Sequence, residues 1–172
     1  MDSNLKYNIV SIPNGKTFIS KELLSKHLDL EDNFGDQIIV ETNLDKNQEE
    51  IIISSNIFFK NNCICARCSE EVVREFVANY KLRASYNLSL TSREFDTEIE
   101  ISPSTTEIDI SDGVRESILL TLPLKILCND DCFGLCQYCG KNLNKIENNI
   151  CNCHIKEIDP RFTKLKDLLT KN

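Results

Sequence analysis

The sequence predicts an α+β protein, with an antiparallel β-sheet, a few short helices and a cysteine-rich C-terminal part. Three observations support this prediction. Apolar and polar residues alternate through 72–84, which is the period of a half-buried strand. Several other short apolar stretches are separated by polar turn residues. Six of the nine cysteines lie within the 26 residues from Cys128 to Cys153.

Strands dominate the first half of the chain in this prediction. Residues 5–12 form a short strand that ends at a Pro-Asn-Gly turn. Ser20 caps a short helix that contains His27. Residues 37–44 and 50–59 form two strands of a hairpin, because only a short polar segment separates them.

The first close cysteine pair lies between two predicted strands. Residues 58–64 lead into Cys65-Ala-Arg-Cys68, and the strand at 72–84 follows. The pair therefore sits at a turn between antiparallel strands. Such a turn can present two ligands to one metal ion and is called a knuckle below.

The second half of the chain contains the longer predicted helices. Residues 92–110 are acidic and predict a flexible loop with a short strand at 107–110. Asp112 then caps a helix through about Thr121. A last, amphipathic helix begins at Asp159. The first of these helices is expected to bury Val114, Ile118, Leu119 and Leu122, and the last has an apolar stripe of Phe162, Leu165, Leu168 and Leu169.

Composition limits the classes of function. The net charge is −7, which is the wrong sign for a protein that coats nucleic acid nonspecifically. Four thiolates around one Zn²⁺ would add two further negative charges at each site. The first residues have no apolar core, so we expect no signal peptide and a cytoplasmic protein. In that compartment, clustered cysteines are more often metal ligands than disulfides.

The cysteines form four close pairs, enough for two closed four-thiolate sites. These pairs are Cys65/Cys68, Cys128/Cys132, Cys136/Cys139 and Cys151/Cys153. Structural Zn²⁺ prefers four such soft ligands in a tetrahedron, supplied as pairs on separate turns. Gly140 directly follows the third pair and permits a left-handed turn, in which backbone N–H groups can point at the sulfurs.

Two groupings of the pairs are possible. Cys136/Cys139 can join Cys151/Cys153, which leaves Cys128/Cys132 to join Cys65/Cys68. We favour this grouping because local loops cost less closure entropy. In the alternative, Cys128, Cys132, Cys136 and Cys139 share one ion. Cys63 is expected to be a small buried residue, His154 is a weaker candidate ligand, and His27 is expected to be an ordinary helix residue.

No catalytic motif accompanies the cysteines. The sequence contains no phosphate-binding loop, no nucleophile elbow and only two histidines. A metal with four cysteine ligands has no open position for water, so we expect no enzyme activity. An iron–sulfur cluster needs the same ligands and stays open as an alternative, as does a redox sensor.

Several motifs in order resemble one protein family. They are Cys65-Ala-Arg-Cys68, 120–128, 131–136, 139–144, Cys151-Asn-Cys153 and Asp159-Pro-Arg161. Together they resemble the YceD-like family, the large ribosomal RNA subunit accumulation proteins of bacteria and plastids. The resemblance covers roughly residues 50–170.

The resemblance implies a role in 23S ribosomal RNA accumulation and in biogenesis of the large ribosomal subunit, with no known catalytic activity. It implies metal ligands at Cys65, Cys68, Cys128, Cys132, Cys136, Cys139, Cys151 and Cys153. Expected partners are ribosomal RNA, ribosomal proteins or both, with no membrane and no small-molecule substrate. A zinc-ribbon module that binds other proteins of nucleic-acid machinery is the alternative. The basic residues that could contact RNA are Arg67, Lys141, Lys145, Lys156, Arg161, Lys164 and Lys166.

We expect two parts, packed as one unit. Residues 1–127 form a mostly β domain with the first knuckle and one helix. Residues 128–172 form the zinc-binding module with the C-terminal helix.

Overall fold

The computed structural model describes residues 5–87 and 94–153. Their regular secondary structure is mostly strand, with one α-helix and three short 3-10 helices, so the predicted α+β class is confirmed. The strands are β1 (Lys6–Asn8), β2 (Gly15–Leu24), β3 (Gln37–Lys46), β4 (Glu50–Ile64), β5 (Glu71–Ser85), β6 (Thr97–Glu100) and β7 (Glu107–Asp109). The helix α1 is Ser111–Thr121, and the 3-10 helices are Ser25–Leu28, Leu143–Lys145 and Glu147–Asn149.

The strands form a five-stranded and a two-stranded sheet. The larger sheet has the order β2-β3-β4-β5-β6, and the smaller one pairs β1 with β7. β2, β3 and β4 run antiparallel, β6 runs parallel to β5, and β1 and β7 are antiparallel. The connection at 65–70 is too short for a parallel crossover, so β4 and β5 are antiparallel as predicted.

Contacts divide the chain into two compact units. The first unit comprises Met1–Cys63 and Glu71–Ile126, and the second comprises Ile64–Glu70 and Leu127–Asn172. The division predicted from the sequence, at residue 127, stays a prediction.

The core of the first unit lies on one face of the larger sheet. Alternate side chains of β3 and β4 are buried because successive residues of a strand point to opposite faces. Three hydroxyl groups are buried among them as a chain: Tyr7 Oη donates to Thr42 Oγ1 at 2.9 Å, and Thr42 Oγ1 lies 2.9 Å from Ser55 Oγ. These polar groups satisfy one another, which removes most of the cost of burying them.

Helix α1 packs on β5 through its small and branched residues. Val114 and Ile118 are fully buried, as predicted, and Leu122 packs partly against the core. Leu119 is exposed, so its predicted burial is wrong. A Cβ atom at Gly113 would lie 2.2 Å from Cζ of Tyr80, which shows how closely the helix approaches the strand.

The N-terminus of α1 differs from the prediction. The residue at the cap position is Ile110, and Asp112 lies in the first turn, where its charge favours the helix dipole. Asp109 supplies the acceptor instead: its Oδ1 accepts from the backbone N–H of Ser111 at 2.9 Å.

Two further sequence predictions are corrected. Ser20 does not cap a helix but lies inside β2, opposite Glu41 of β3. Pairing with β3 decides the conformation here, and the helix is reduced to the 3-10 turn Ser25–Leu28 that contains His27. The predicted loop at 92–110 contains β6, because Thr97–Glu100 adds to the edge of β5.

Other predictions hold in outline. The hairpin of β3 and β4 and the strand β7 are confirmed, and the first strand is shorter than expected. The predicted C-terminal helix from Asp159 lies outside the described residues. No helix among the residues that the structure describes combines the length and apolar character needed to cross a membrane.

Candidate metal centres

Eight cysteines converge in two groups of four within the second unit. The buried tetrad consists of Cys65, Cys68, Cys128 and Cys132, and the surface tetrad consists of Cys136, Cys139, Cys151 and Cys153. Within each tetrad, all four Sγ atoms lie within 4.8 Å of one another. The first of the two groupings considered from the sequence is therefore the one that the structure brings together.

The sulfur spacing fits a tetrahedral metal ion. Zn–S bonds of about 2.3 Å place the corners of a regular tetrahedron about 3.8 Å apart. In the buried tetrad, Sγ of Cys65 lies 3.8 Å from Sγ of Cys132, and Sγ of Cys68 lies 3.7 Å from Sγ of Cys128. The surface tetrad is slightly tighter: 3.4 Å separates Cys136 from Cys153, and 3.3 Å separates Cys139 from Cys151.

The first knuckle is a tight turn that follows β4. The Cys65 N–H donates to the Glu70 carbonyl at 2.8 Å, and the Ser69 N–H donates to the Cys65 carbonyl at 3.0 Å. Ser69 adopts a left-handed conformation with φ of 58°. These bonds turn both sulfurs to the same side.

The position of the second cysteine pair, Cys128/Cys132, depends on the close approach of Gly134 to the backbone of Arg67. This residue has φ of 75°, and a Cβ atom there would lie 3.1 Å from the Arg67 carbonyl oxygen. Glycine is favoured on both counts. The Arg67 guanidinium donates to the Cys132 carbonyl at 3.0 Å, so a side-chain-to-backbone hydrogen bond also joins the two buried pairs.

The surface tetrad is built on a second turn and a returning loop. The Cys136 N–H donates to the Lys141 carbonyl at 2.8 Å, and the Gly140 N–H donates to the Cys136 carbonyl at 2.9 Å. Gly140 has φ of 72°, which confirms the left-handed turn predicted after the third pair.

Asn144 is a functional candidate that the sequence did not single out. Its Nδ2 group donates to Sγ of Cys132 at 3.4 Å, while its Oδ1 accepts from the Phe133 N–H at 2.9 Å. A donor to a ligating sulfur orients the ligand and stabilises its thiolate. The only sequence signal was an Asn-rich segment beside the cysteines.

In each tetrad, backbone N–H groups lower the pKa of one thiol especially strongly. Burial acts to raise the pKa of Cys65, but the N–H groups of Cys68 and Arg67 outweigh it and lower this pKa to about 6. The N–H groups of Cys139 and Tyr138 likewise lower the pKa of Cys136 to about 6.

The neighbouring thiols hold their protons more tightly. Hydrogen bonding with Cys132 and burial raise the pKa of Cys128 to about 12. Hydrogen bonding with Cys151 and Cys136 raises the pKa of Cys153 to about 12. Each tetrad thus holds protons that an incoming cation would displace.

Two of the basic residues considered for RNA contact have roles inside the second unit. Arg67 donates to the carbonyl groups of Asp130 and Cys132. Lys145 forms an ion pair with Glu70, which raises the pKa of the lysine and lowers that of the carboxyl group.

Two other residues considered from the sequence, Cys63 and His27, lie outside both tetrads. Cys63 belongs to neither tetrad, and its Sγ donates to the Val72 carbonyl at 3.4 Å. His27 accepts from the Leu24 N–H through Nδ1 at 3.3 Å, as part of its 3-10 turn. Lys141 is exposed and lies directly after the turn that carries Cys136 and Cys139. The other candidates lie outside the described residues: His154, Lys156, Arg161, Lys164 and Lys166.

The family described as "Large ribosomal RNA subunit accumulation protein YceD" matches residues 53–169, which include both tetrads. The chain belongs to the YceD family. The resemblance inferred from the cysteine motifs is therefore confirmed.

Individual relatives agree with this assignment. Two plant relatives are named large ribosomal RNA subunit accumulation protein YCED homolog 1, chloroplastic. The Arabidopsis thaliana protein is 32% identical over 75 residues, which is 44% of this chain and 22% of the relative. The Zea mays protein is 35% identical over 65 residues, 38% of this chain and 22% of the relative.

A mycobacterial relative matches a longer part of the chain. An uncharacterized protein of Mycobacterium tuberculosis H37Rv is 32% identical over 123 residues, 70% of this chain and 56% of that protein. The chain thus spans less than two thirds of the length of these relatives. No solved structure matches the chain significantly.

Proposed function

We propose that this chain is a non-enzymatic zinc protein of the bacterial cytoplasm that supports 23S ribosomal RNA accumulation and biogenesis of the large ribosomal subunit. The observation that carries the proposal is the family match across residues 53–169. The mycobacterial relative supports a bacterial setting.

The metal in this proposal is Zn²⁺, one ion in each tetrad, with all eight cysteines as ligands. Four thiolates at tetrahedral spacing are the donor set of closed structural zinc sites. Such a site leaves no position for a metal-bound water, which supports a scaffold and not a hydrolase. A brown preparation containing iron would instead favour the iron–sulfur alternative.

The partner that we favour is a ribosomal protein, with ribosomal RNA as the competing possibility. The chain is acidic overall, so it repels phosphate at long range and attracts basic proteins. The internal roles of Arg67 and Lys145 also reduce the cationic surface that the second unit can offer to RNA.

The test is depletion of the protein in its own host, followed by complementation. We expect the ratio of 23S to 16S ribosomal RNA to fall on depletion. Wild-type protein and Cys63→Ser should restore this ratio, whereas Cys132→Ser should not. Unchanged 23S ribosomal RNA after complete depletion would contradict the proposal.

A zinc-ribbon module for protein binding in other nucleic-acid machinery is the second candidate function. The net charge of −7 favours it, because this charge fits a protein partner better than RNA. The same depletion experiment separates the two candidates. Normal 23S ribosomal RNA together with failure of another nucleic-acid pathway would favour the second.

A further inference from the structure

We propose that the surface tetrad is an oxidation-sensitive modification site. A peroxide converts its four thiolates into the disulfides Cys139–Cys151 and Cys136–Cys153 and releases the bound metal, while the buried tetrad keeps its own. The release of metal rests on the proposed zinc sites, but the order of thiol oxidation does not.

The two tetrads differ in access to solvent. Three sulfurs of the buried tetrad belong to residues that are almost completely covered: Cys65 is 1% exposed, and Cys68 and Cys132 are each 4% exposed. In the surface tetrad, Cys139 is exposed, and Cys151 and Cys153 are half-buried. A dissolved oxidant therefore reaches the surface tetrad first, because thiol oxidation follows exposure and thiolate character.

A cavity leads to the same sulfurs. Its volume is about 430 Å³, and its lining includes Cys136, Cys151 and Cys153 together with the side chains of Leu135 and Tyr138. This space is large enough for a peroxide, which is little larger than water. As far as the described residues show, an oxidant can therefore reach the surface tetrad directly at Cys139 and through the cavity.

The sulfur distances favour pairing across the two turns. Sγ of Cys139 lies 3.3 Å from Sγ of Cys151, and Sγ of Cys136 lies 3.4 Å from Sγ of Cys153. A disulfide requires about 2.05 Å, so each pair must close by little more than about 1 Å. Loss of the metal, which separates the thiolates, permits this movement.

The chemistry is balanced with one peroxide for each disulfide. The Cys139 thiolate attacks one peroxide oxygen, the O–O bond breaks, hydroxide leaves and a sulfenic acid forms. The Cys151 thiolate then attacks the Cys139 sulfur, so that an S–S bond forms and a second hydroxide leaves. Two electrons pass from the sulfurs to the peroxide. A second peroxide oxidises Cys136 and Cys153 in the same way, and the metal leaves as a dication.

The experiment uses the full zinc-loaded chain with Cys63→Ser, so that the ninth thiol cannot react. Hydrogen peroxide is added in steps, and released zinc is measured with a chromogenic chelator. Free thiols are then alkylated and the protein is digested with trypsin. Because Lys141 and Lys145 lie between the two turns, the proposed disulfides join two separate tryptic peptides. A bond between Cys136 and Cys139 would lie inside one peptide.

We expect the first zinc equivalent to leave at least tenfold faster than the second, with the two peptides cross-linked and Cys65 and Cys68 still reduced. Fragmentation of the linked peptides should assign Cys139 to Cys151, and a dithiol with added zinc should restore the starting state. Equal rates for both ions, earlier oxidation of the buried tetrad, or a Cys136–Cys139 bond would overturn the proposal. If the chain carried no zinc, the order in which the thiols become unavailable to alkylation would still test the proposed order of oxidation.

Discussion

Replacing Cys132 by serine should remove one metal ion and unfold the part of the second unit that surrounds the buried tetrad. Cys132 is a ligand candidate of the buried tetrad and is itself part of the only apolar cluster described in that unit. This cluster has three buried members, Cys65, Cys68 and Cys132. A serine hydroxyl is a poor replacement for a thiolate on Zn²⁺.

The expected size of the effect follows from this small cluster. Burying one apolar side chain contributes about 1.5–3 kcal/mol, so three cysteines contribute at most about 9 kcal/mol. One structural Zn²⁺ contributes about 10–16 kcal/mol of apparent binding free energy. The metal therefore outweighs the apolar burial, and this cluster cannot compensate for its loss. The first unit should stay folded because its described residues include a separate core of 23 buried residues.

The assay combines metal analysis with a two-dimensional ¹H–¹⁵N NMR spectrum. In Cys132→Ser, zinc content should fall by one ion, and resonances of 64–70 and 127–135 should move to random-coil positions while those of β3 and β4 stay dispersed. Cys63→Ser is the matched control, because a serine there can donate to the Val72 carbonyl as Cys63 does. Full zinc content and an unchanged spectrum in Cys132→Ser would refute the reasoning.

Three further predictions test other parts of the structure. Gly113→Ala should lower the free energy of unfolding of the first unit by about 1–3 kcal/mol in urea, because the new methyl group meets the Tyr80 ring. Helix propensity alone predicts the opposite, a gain of up to about 1 kcal/mol. Glu116→Ala, on the exposed side of α1, is the control. Asn144→Ala should weaken zinc binding by about 10–100-fold in a competition assay, because Cys132 loses its donor, and an unchanged affinity would exclude this role. Zinc binding should release fewer than four protons per ion at pH 7.5 but four at pH 5, because the pKa values of Cys65 and Cys136 are lowered to about 6. Because folding lowers the pKa of these two thiols, their thiolates stabilise the metal-free fold at pH values above the usual thiol pKa. That contribution is lost as the pH falls through about 6. Calorimetry in buffers of different ionisation enthalpy measures the released protons, and a constant value of four would contradict the lowered pKa values.

The features that depend on local chemistry could be predicted from the sequence. The close cysteine pairs and Gly140 are enough to predict the knuckles, their favoured grouping and one left-handed turn. Strand β5 is equally clear in the sequence, because its period of two extends over many residues.

Features that depend on distant pairing were missed. Ser20 has the sequence signature of a helix cap, but the neighbouring β3 makes it part of a strand. β6 lies in an acidic segment without a strand pattern and exists because β5 offers it an edge. Asn144 becomes recognisable only when the chain returns to Cys132, 12 residues earlier in sequence.

The central claim is that each tetrad holds one zinc ion. It is tested most directly by elemental mass spectrometry and an absorption spectrum on the full chain, purified without added metal. We predict two zinc ions per chain and no visible absorption. Iron with visible absorption, or a folded second unit without metal, would contradict the claim.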